Sequence, residues 1–358
     1  MVLAGEGILL VRLGAVGDVI RTLPCLAVLR RSFPEARLAW VVEAASCHLL
    51  PGRPWLDETI VFPRKSLAPS SLIIRPGASI GGLRSFLSKL RAFAPRYTLD
   101  LQGTLKSSLI ARLSGTSRRI GFDWSGSREW SWLMNNVRVK PSSPRLNRVL
   151  KNLELIQPLK PRPGPLEFPF AQLEESQRIS DFLTSLGSGR PIAIHPGTSL
   201  RQAHKRWPEE RFAQVIQGLS AQGLIPILTW GPGELPMVER ILSRSGGKGL
   251  LAPSTTLAEM RQLLMHCHLF IGGDTGPMHL AWTHGVPVLA LFGSTDPEVN
   301  GPLGAQHRVL APAWEAGRPR PRRGDPSPLR EILPDRVLRE ALELLQSAAA
   351  PSSRAPVC

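Results

Sequence analysis

Short apolar runs recur along the chain, and stretches with helical spacing lie between them. Gly7–Leu13, Arg37–Glu43, Glu58–Phe62, Tyr97–Leu101 and Arg118–Phe122 read as strands. Val19–Arg31, Leu83–Phe93, Thr104–Leu113 and Arg145–Gln157 read as helices. Such alternation implies a parallel sheet covered on both faces. Pro158–Pro165 is proline-rich and reads as a linker. A helix over Gln172–Leu186 opens a second alternating series. Its strands are expected at Ile192–His195, Leu224–Thr229, Leu250–Leu251, Leu269–Ile271 and Val288–Phe292. Arg318–Pro328 is basic and irregular, Leu329–Leu345 is an amphipathic helix, and residues 346–358 read as a disordered tail. The pattern predicts an α/β protein of two doubly wound domains, 1–160 and 161–328. Ligands of such sheets bind at the carboxyl ends of the strands, so a cleft between the halves is the expected site.

Composition narrows this picture. A chain of 358 residues, 42% hydrophobic, exceeds what one core supports. No apolar run reaches the ~18 residues of a membrane span, and Met1–Val11 has no basic leader region. Cys25, Cys47, Cys267 and Cys358 form no Cys-x-x-Cys pair and read as thiols of a reducing cytoplasm. The net charge is +16, and Ile60–Lys151 holds 17 Lys or Arg against 3 acids. Such a face suits nucleic acid, anionic lipid or a phosphorylated substrate, or is simply solvated.

Chemistry concentrates after the strands. Leu269–Ile271 runs into Gly272-Gly273-Asp274-Thr275-Gly276, and Pro277 opens a helix that Gly285 ends. Free N–H groups at that helix start suit a phosphate-bearing ligand, with Asp274 and Thr275 fixing the turn. Asp274 could instead simply cap its helix, the commonest reason for an Asp there. Asp-Thr-Gly also occurs in aspartic proteases, but those need two copies and this chain has one. In the first half, Gly14-Ala-Val-Gly17-Asp18 follows the first strand. Asp18 is a candidate general base or a cap, and spacing does not choose between them. The pattern is neither Gly-x-Gly-x-x-Gly nor a phosphate loop with its lysine. Asp100, Gln102 and Lys106 follow the fourth strand in the same way. Three turns of the second half favour anions or sugars: His195–Ser199 with Thr198, Lys205-Arg206 before a helix at Pro208, and Trp230-Gly231 with Glu234. His266-Cys267-His268 abuts a buried strand and reads as packing rather than a metal site. Together these suit a transferase with a nucleotide-activated donor in the second half and an acidic acceptor in the first.

The motifs resemble family 9 glycosyltransferases, the ADP-heptose:lipopolysaccharide heptosyltransferases. The matching stretches are Arg12-Leu-Gly-Ala-Val-Gly-Asp18 to Pro24, Trp40–Glu43, Asp100–Lys106, Lys205–Glu210, Trp230-Gly231, and Asp274–His279 to Pro297. They span about Gly7–Gly304 in family order. Gly121–Trp124 and Arg128-Glu129 resemble the enzyme that adds the first heptose, although that enzyme commonly has Ser where Ala15 stands.

The resemblance implies a GT-B fold of two Rossmann-like domains, with the final helix packing back on the first. It implies inverting transfer of L-glycero-D-manno-heptose from ADP-heptose to a Kdo sugar of the inner core. Asp18 is then the base, and Lys205 with the 274–276 turn holds the diphosphate. Gly17, Thr198, Ser199, Trp230, Gly231, Glu234, Asp274, Thr275, Gly276, Pro277 and His279 are the expected donor contacts. Glu43, Arg64, Lys65, Asp100, Gln102, Lys106 and Arg128 are the expected acceptor contacts. A lysine and helix amides stabilise the leaving diphosphate without obligatory metal, and no cofactor is expected. The expected partners are Kdo-lipid A and the cytoplasmic face of the inner membrane, for a monomer. A nucleic-acid-binding protein would interleave aromatics with its basic residues, and this chain has one tyrosine.

Overall fold

Two six-stranded sheets, with every neighbouring pair of strands parallel, carry the fold. The computed structural model describes residues 5–64, 76–315, 318, 320–322 and 324–348. Its two compact units divide between Gln172 and Leu173.

In the first unit the strands are β1 (Gly7–Val11), β2 (Arg37–Glu43), β3 (Glu58–Phe62), β4 (Tyr97–Asp100), β5 (Arg118–Phe122) and β6 (Val137–Val139). They lie in the order β3-β2-β1-β4-β5-β6. Helices α1 (Val16–Ile20), α2 (Leu23–Ser32), α3 (Ala44–Cys47), α4 (Pro76–Ala92), α5 (Leu105–Leu113) and α6 (Arg148–Leu155) connect them. Leu9, Val11, Ala39, Val41, Ile60 and Phe62 pack on one face with Phe86 and Leu90 of α4. Ile8, Leu10, Leu38, Trp40 and Val42 are buried on the other, as expected for a sheet covered on both sides. The expected helix over 19–31 is two helices, broken at Arg21–Thr22. Pro24 is the cause: inside a continuous helix it could not donate to the Ile20 carbonyl and would clash with it.

The second unit repeats the topology. Its elements are α7 (Gln177–Ser185), β7 (Arg190–His195), α8 (Glu209–Ala221), β8 (Leu224–Leu228), α9 (Leu235–Arg244), β9 (Leu250–Leu251) and α10 (Leu257–Met265). They continue as β10 (Leu269–Gly273), α11 (Gly276–Thr283), β11 (Val288–Leu291), α12 (Pro297–Asn300), β12 (Arg308–Leu310) and α13 (Pro334–Ala348). The strand order is β12-β11-β10-β7-β8-β9. Each sheet therefore reverses its winding once, between β1 and β4 and between β7 and β10. Such switch points are where open α/β sheets bind ligands.

Two boundaries differ from the sequence reading. The proline-rich stretch belongs to the first unit, because Arg31 of α2 bonds Glu167 at 3.0 Å and the Pro165 carbonyl at 2.8 Å, and Ala171 N–H donates to Leu49 O. The final helix, expected to return to the first domain, instead places Val337, Ala341, Leu344 and Leu345 in the second unit's core. Its own apolar stripe dictates this, and Gly218 permits it: a Cβ there would fall 2.5 Å from Leu338 Cδ2. Trp207 Nε1 donates to the Ile332 carbonyl at 3.1 Å and fixes the approach to α13. No helix among the described residues is long and apolar enough to cross a membrane.

Candidate active site

At the switch point of the first unit, Asp18 lies in the first turn of α1. It is not a cap, for Ala15 holds the N-cap position without any side-chain bond. Its carboxylate faces two guanidiniums instead, with Oδ2 2.6 Å from Arg12 Nη2 and Oδ1 2.6 Å from Arg21 Nη2. Both arginines are buried and held from behind, Arg12 by the Leu101 carbonyl at 2.6 Å and Arg21 by the Gly17 carbonyl at 3.2 Å. Burial pushes the Asp18 carboxyl up, but Arg12, Arg21 and Arg148 outweigh it and hold it well below the usual carboxylate range. Gln102 braces the same turn by accepting from Leu13 N–H at 2.9 Å. Gly17 is buried inside α1.

Further cations gather near this carboxylate. Arg148 begins α6, and burial with repulsion from Arg21, Arg12 and Arg128 pushes it down to about 10 despite Asp18. Lys151, one turn further, is pushed down to about 8 by burial and by Arg148, Arg128 and Arg12. Its Nζ donates to the Gly126 carbonyl at 2.8 Å and lies 4.5 Å from the Phe122 ring centroid. Cations that depress one another mark a place with positive charge to spare, suited to an anion.

The remaining acceptor residues divide. Glu43, Arg64 and Lys106 come together, with Arg64 Nη1 at 2.7 Å and Lys106 Nζ at 4.0 Å from the Glu43 carboxylate. Arg128 is exposed, and Lys65 lies outside the described residues. Asp100 is a correction. It is fully buried, accepting from Gly103 N–H at 3.0 Å and Asn135 Nδ2 at 3.2 Å. Burial pushes its carboxyl up, and it shapes the turn after β4 instead of meeting a ligand.

At the second switch point, Lys205 and Asp274 meet. Lys205 Nζ lies 2.8 Å from Asp274 Oδ2, the two side chains 14% and 10% exposed. Asp274 is no cap either, for Thr275 is the N-cap of α11 and no side chain caps it. His279, buried in α11, accepts from Trp282 Nε1 at 3.0 Å through Nδ1. That leaves its proton on Nε2, 3.6 Å from Asp274 Oδ1. Gly276 and Pro277 form the first turn of α11, so Lys205 stands beside the N–H groups at the start of that helix.

The neighbouring turns hold this pair in place. Thr198 is buried, its hydroxyl donating to the Gln202 carbonyl at 3.1 Å and accepting from Arg206 Nε at 3.1 Å. It is therefore spent on the loop that delivers Lys205, and is not open to a ligand as expected, whereas Ser199 is exposed. Trp230 Nε1 donates to the Ala252 carbonyl at 3.0 Å. The Glu234 carboxylate accepts from Gly231 N–H at 2.7 Å. A Cβ at Gly197 would fall 2.0 Å from Glu234 Oε2, so glycine there lets the turns after β7 and β8 close on one carboxylate. Burial pushes Glu234 up against the pull of Gly231 N–H and Arg206. His195 stays neutral at working pH, its pKa pushed down to about 4 by burial. His266 bonds the Gln262 carbonyl of its own helix at 2.9 Å.

The sequence reading missed Arg21, Arg148 and Lys151 and the ligating part of Arg12. The one available signal was the excess of basic residues over acids between Ile60 and Lys151.

Residues 83–325 match glycosyltransferase family 9 (heptosyltransferase). The chain is 28% identical over 350 residues to lipopolysaccharide heptosyltransferase 2 of Salmonella typhimurium, covering 92% of this chain and 96% of that protein. It is 28% identical over 304 residues to lipopolysaccharide heptosyltransferase 1 of Pseudomonas aeruginosa, covering 83% and 81%. The structure of E. coli heptosyltransferase WaaC with ADP superposes with a TM-score of 0.73 at 23% identity, covering 95% of this chain and all of that one. The chain belongs to glycosyltransferase family 9. It is a glycosyltransferase, and its two Rossmann-like units match the GT-B heptosyltransferase structures.

Proposed function

We propose that this enzyme moves L-glycero-D-manno-heptose from ADP-heptose to a Kdo sugar of the lipopolysaccharide inner core, with inversion. One observation carries the reading: one switch point holds a carboxylate among an excess of cations, and the other a lysine beside helix amides. The similar structure that contains ADP supports an ADP-bearing donor. The surplus cations around Asp18 suit an acceptor that bears a carboxylate or phosphates.

In this reading the acceptor hydroxyl gives its proton to Asp18, and its oxygen attacks the anomeric carbon on the side opposite the diphosphate. The bond to ADP breaks as the new bond forms, through an oxocarbenium-like transition state. Negative charge grows on the leaving diphosphate, where Lys205 and the amides at the start of α11 stabilise it. Asp18 between two guanidiniums is a weak base. An acceptor carboxylate arriving among the same cations neutralises part of their field and raises its basicity. The enzyme would work at the cytoplasmic face of the inner membrane, where the acceptor lipid is built.

Transfer of the second heptose is the rival reading, favoured by the match to heptosyltransferase 2 over 350 residues. ADP release from ADP-heptose separates the two. We expect release with Kdo-lipid A that carries no heptose. Release only with an acceptor that already bears one heptose would make this the second enzyme, and release with neither would end the heptosyl reading.

A further inference from the structure

The two most exposed aromatic side chains of the described residues lie in one segment that reaches the cations near Asp18. Trp124 and Trp130 are each 73% exposed, and Leu133 is 56% exposed. All three lie in the segment between β5 and β6. Leu105 and Leu109 of α5 are also exposed, one turn apart on one helix face. That helix packs on the 131–133 turn, and Leu105 N–H donates to Glu129 Oε2 at 3.3 Å. Isolated exposed leucines are ordinary, but five exposed large apolar side chains on one loop and the helix it packs on exceed scatter. Its backbone is unusual as well. Glu129 and Trp130 both take positive φ, 53° and 60°, a conformation bulky residues rarely adopt.

Charge says what the patch would meet. Lys106, Arg112 and Arg128 are exposed around it. Between Ile60 and Lys151 there are 17 Lys or Arg and 3 acids. An apolar protein partner would not need this excess, whereas an anionic bilayer needs both parts: indoles at headgroup depth and cations opposite lipid phosphates. The patch is also continuous with the proposed acceptor site. Lys151 bonds the Gly126 carbonyl inside the segment, and Arg128 lies near enough to depress both Arg148 and Lys151.

We propose that the 124–133 segment and the outer face of α5 seat the protein on an anionic lipid bilayer, with Trp124 and Trp130 entering the headgroup layer. This deepens the reading above, in which the acceptor is a lipid-borne sugar.

The test is co-sedimentation of the full chain with phosphatidylcholine vesicles, with and without phosphatidylglycerol. The comparison is a Trp124→Ser/Trp130→Ser variant whose fold is checked by circular dichroism. We expect wild type to bind the phosphatidylglycerol vesicles, less so as salt rises. The variant should bind roughly tenfold or more weakly. It should retain wild-type transfer to a water-soluble, deacylated acceptor and lose transfer to acceptor embedded in vesicles. Should that variant misfold, Leu105→Glu/Leu109→Glu takes its place with the same expectation. Wild type that ignores anionic vesicles overturns the proposal, as does a folded variant that binds like wild type. A wild-type dimer that the tryptophan variant makes monomeric, with no vesicle binding, gives the face to a second copy. Vesicle binding without heptosyl transfer to any acceptor would sink the proposed function and leave the face standing.

Discussion

Beyond the end of β1, the charged side chain at the switch point is an aspartate between two buried arginines. Beyond β7 and β10, at the equivalent place in the second sheet, a lysine pairs with an aspartate backed by a histidine. Strand order and winding are the same in both units. The difference shows that topology supplies a location and side chains alone decide what is done there. The first location sets several cations about one carboxylate, an excess of positive charge. The second pairs one lysine with one aspartate, so in the proposed reaction a diphosphate would compete with Asp274 for Lys205 beside the amides of α11.

Replacing Asp18 by Asn is the strongest way to break this comparison. Turnover should fall by about 10²–10⁴, since Asn takes no proton at neutral pH, while ADP-heptose affinity stays unchanged. Stability should drop by ~1–3 kcal/mol, because Arg12 and Arg21 lose their charged acceptor. Turnover that survives would reduce Asp18 to a counter-ion. Lys205→Ala comes next. Turnover should fall by about 10²–10³ with a parallel loss of donor affinity, read by calorimetry and steady-state kinetics, because the contact serves both ground and transition states. Unchanged donor binding would remove Lys205 from the site.

The pH profile sharpens the contrast with a smaller effect. Lys151 loses its proton at about 8. The apparent acceptor constant should therefore be flat below that and rise by up to about tenfold above it. Lys151→Arg should flatten the rise, since arginine stays charged. Asp18, held low, should set no acid limb in the usual carboxylate range. Its ion pairs stabilise the fold above its unfolded pKa and are lost only as pH falls through the depressed folded value. The smallest expected effect is that of excess chelator, which should leave the rate unchanged. Loss of activity with recovery on adding magnesium would overturn the metal-independent reading.

The central strands were legible because burial on both faces leaves long apolar runs, as in Leu38–Val42 and Leu269–Ile271. The edge strands β6 and β12 were not, for three residues with arginine among them carry no pattern. Asp18, Lys205 and Asp274 were legible because each sits in a turn whose glycines and helix start are local signals. Whether they were caps was not, since that depends on partners distant in sequence. Arg148 is brought to Asp18 by β-sheet winding, and no spacing rule spans that separation. Thr198 and Asp100 show the converse. Their turns stood out in the sequence, yet both side chains are spent inside the protein.

The place of α13 in the second core has a consequence for how the chain is made. The first unit has every strand and helix it needs before synthesis reaches residue 173, so it can fold while the rest is still being added. The second cannot. Its core lacks Val337, Ala341, Leu344 and Leu345 until almost all of this sequence has emerged. Until then the face of α8 around Gly218 is bare. The slow, exposed interval in the birth of this protein belongs to the second unit, and that is where a chaperone would be met.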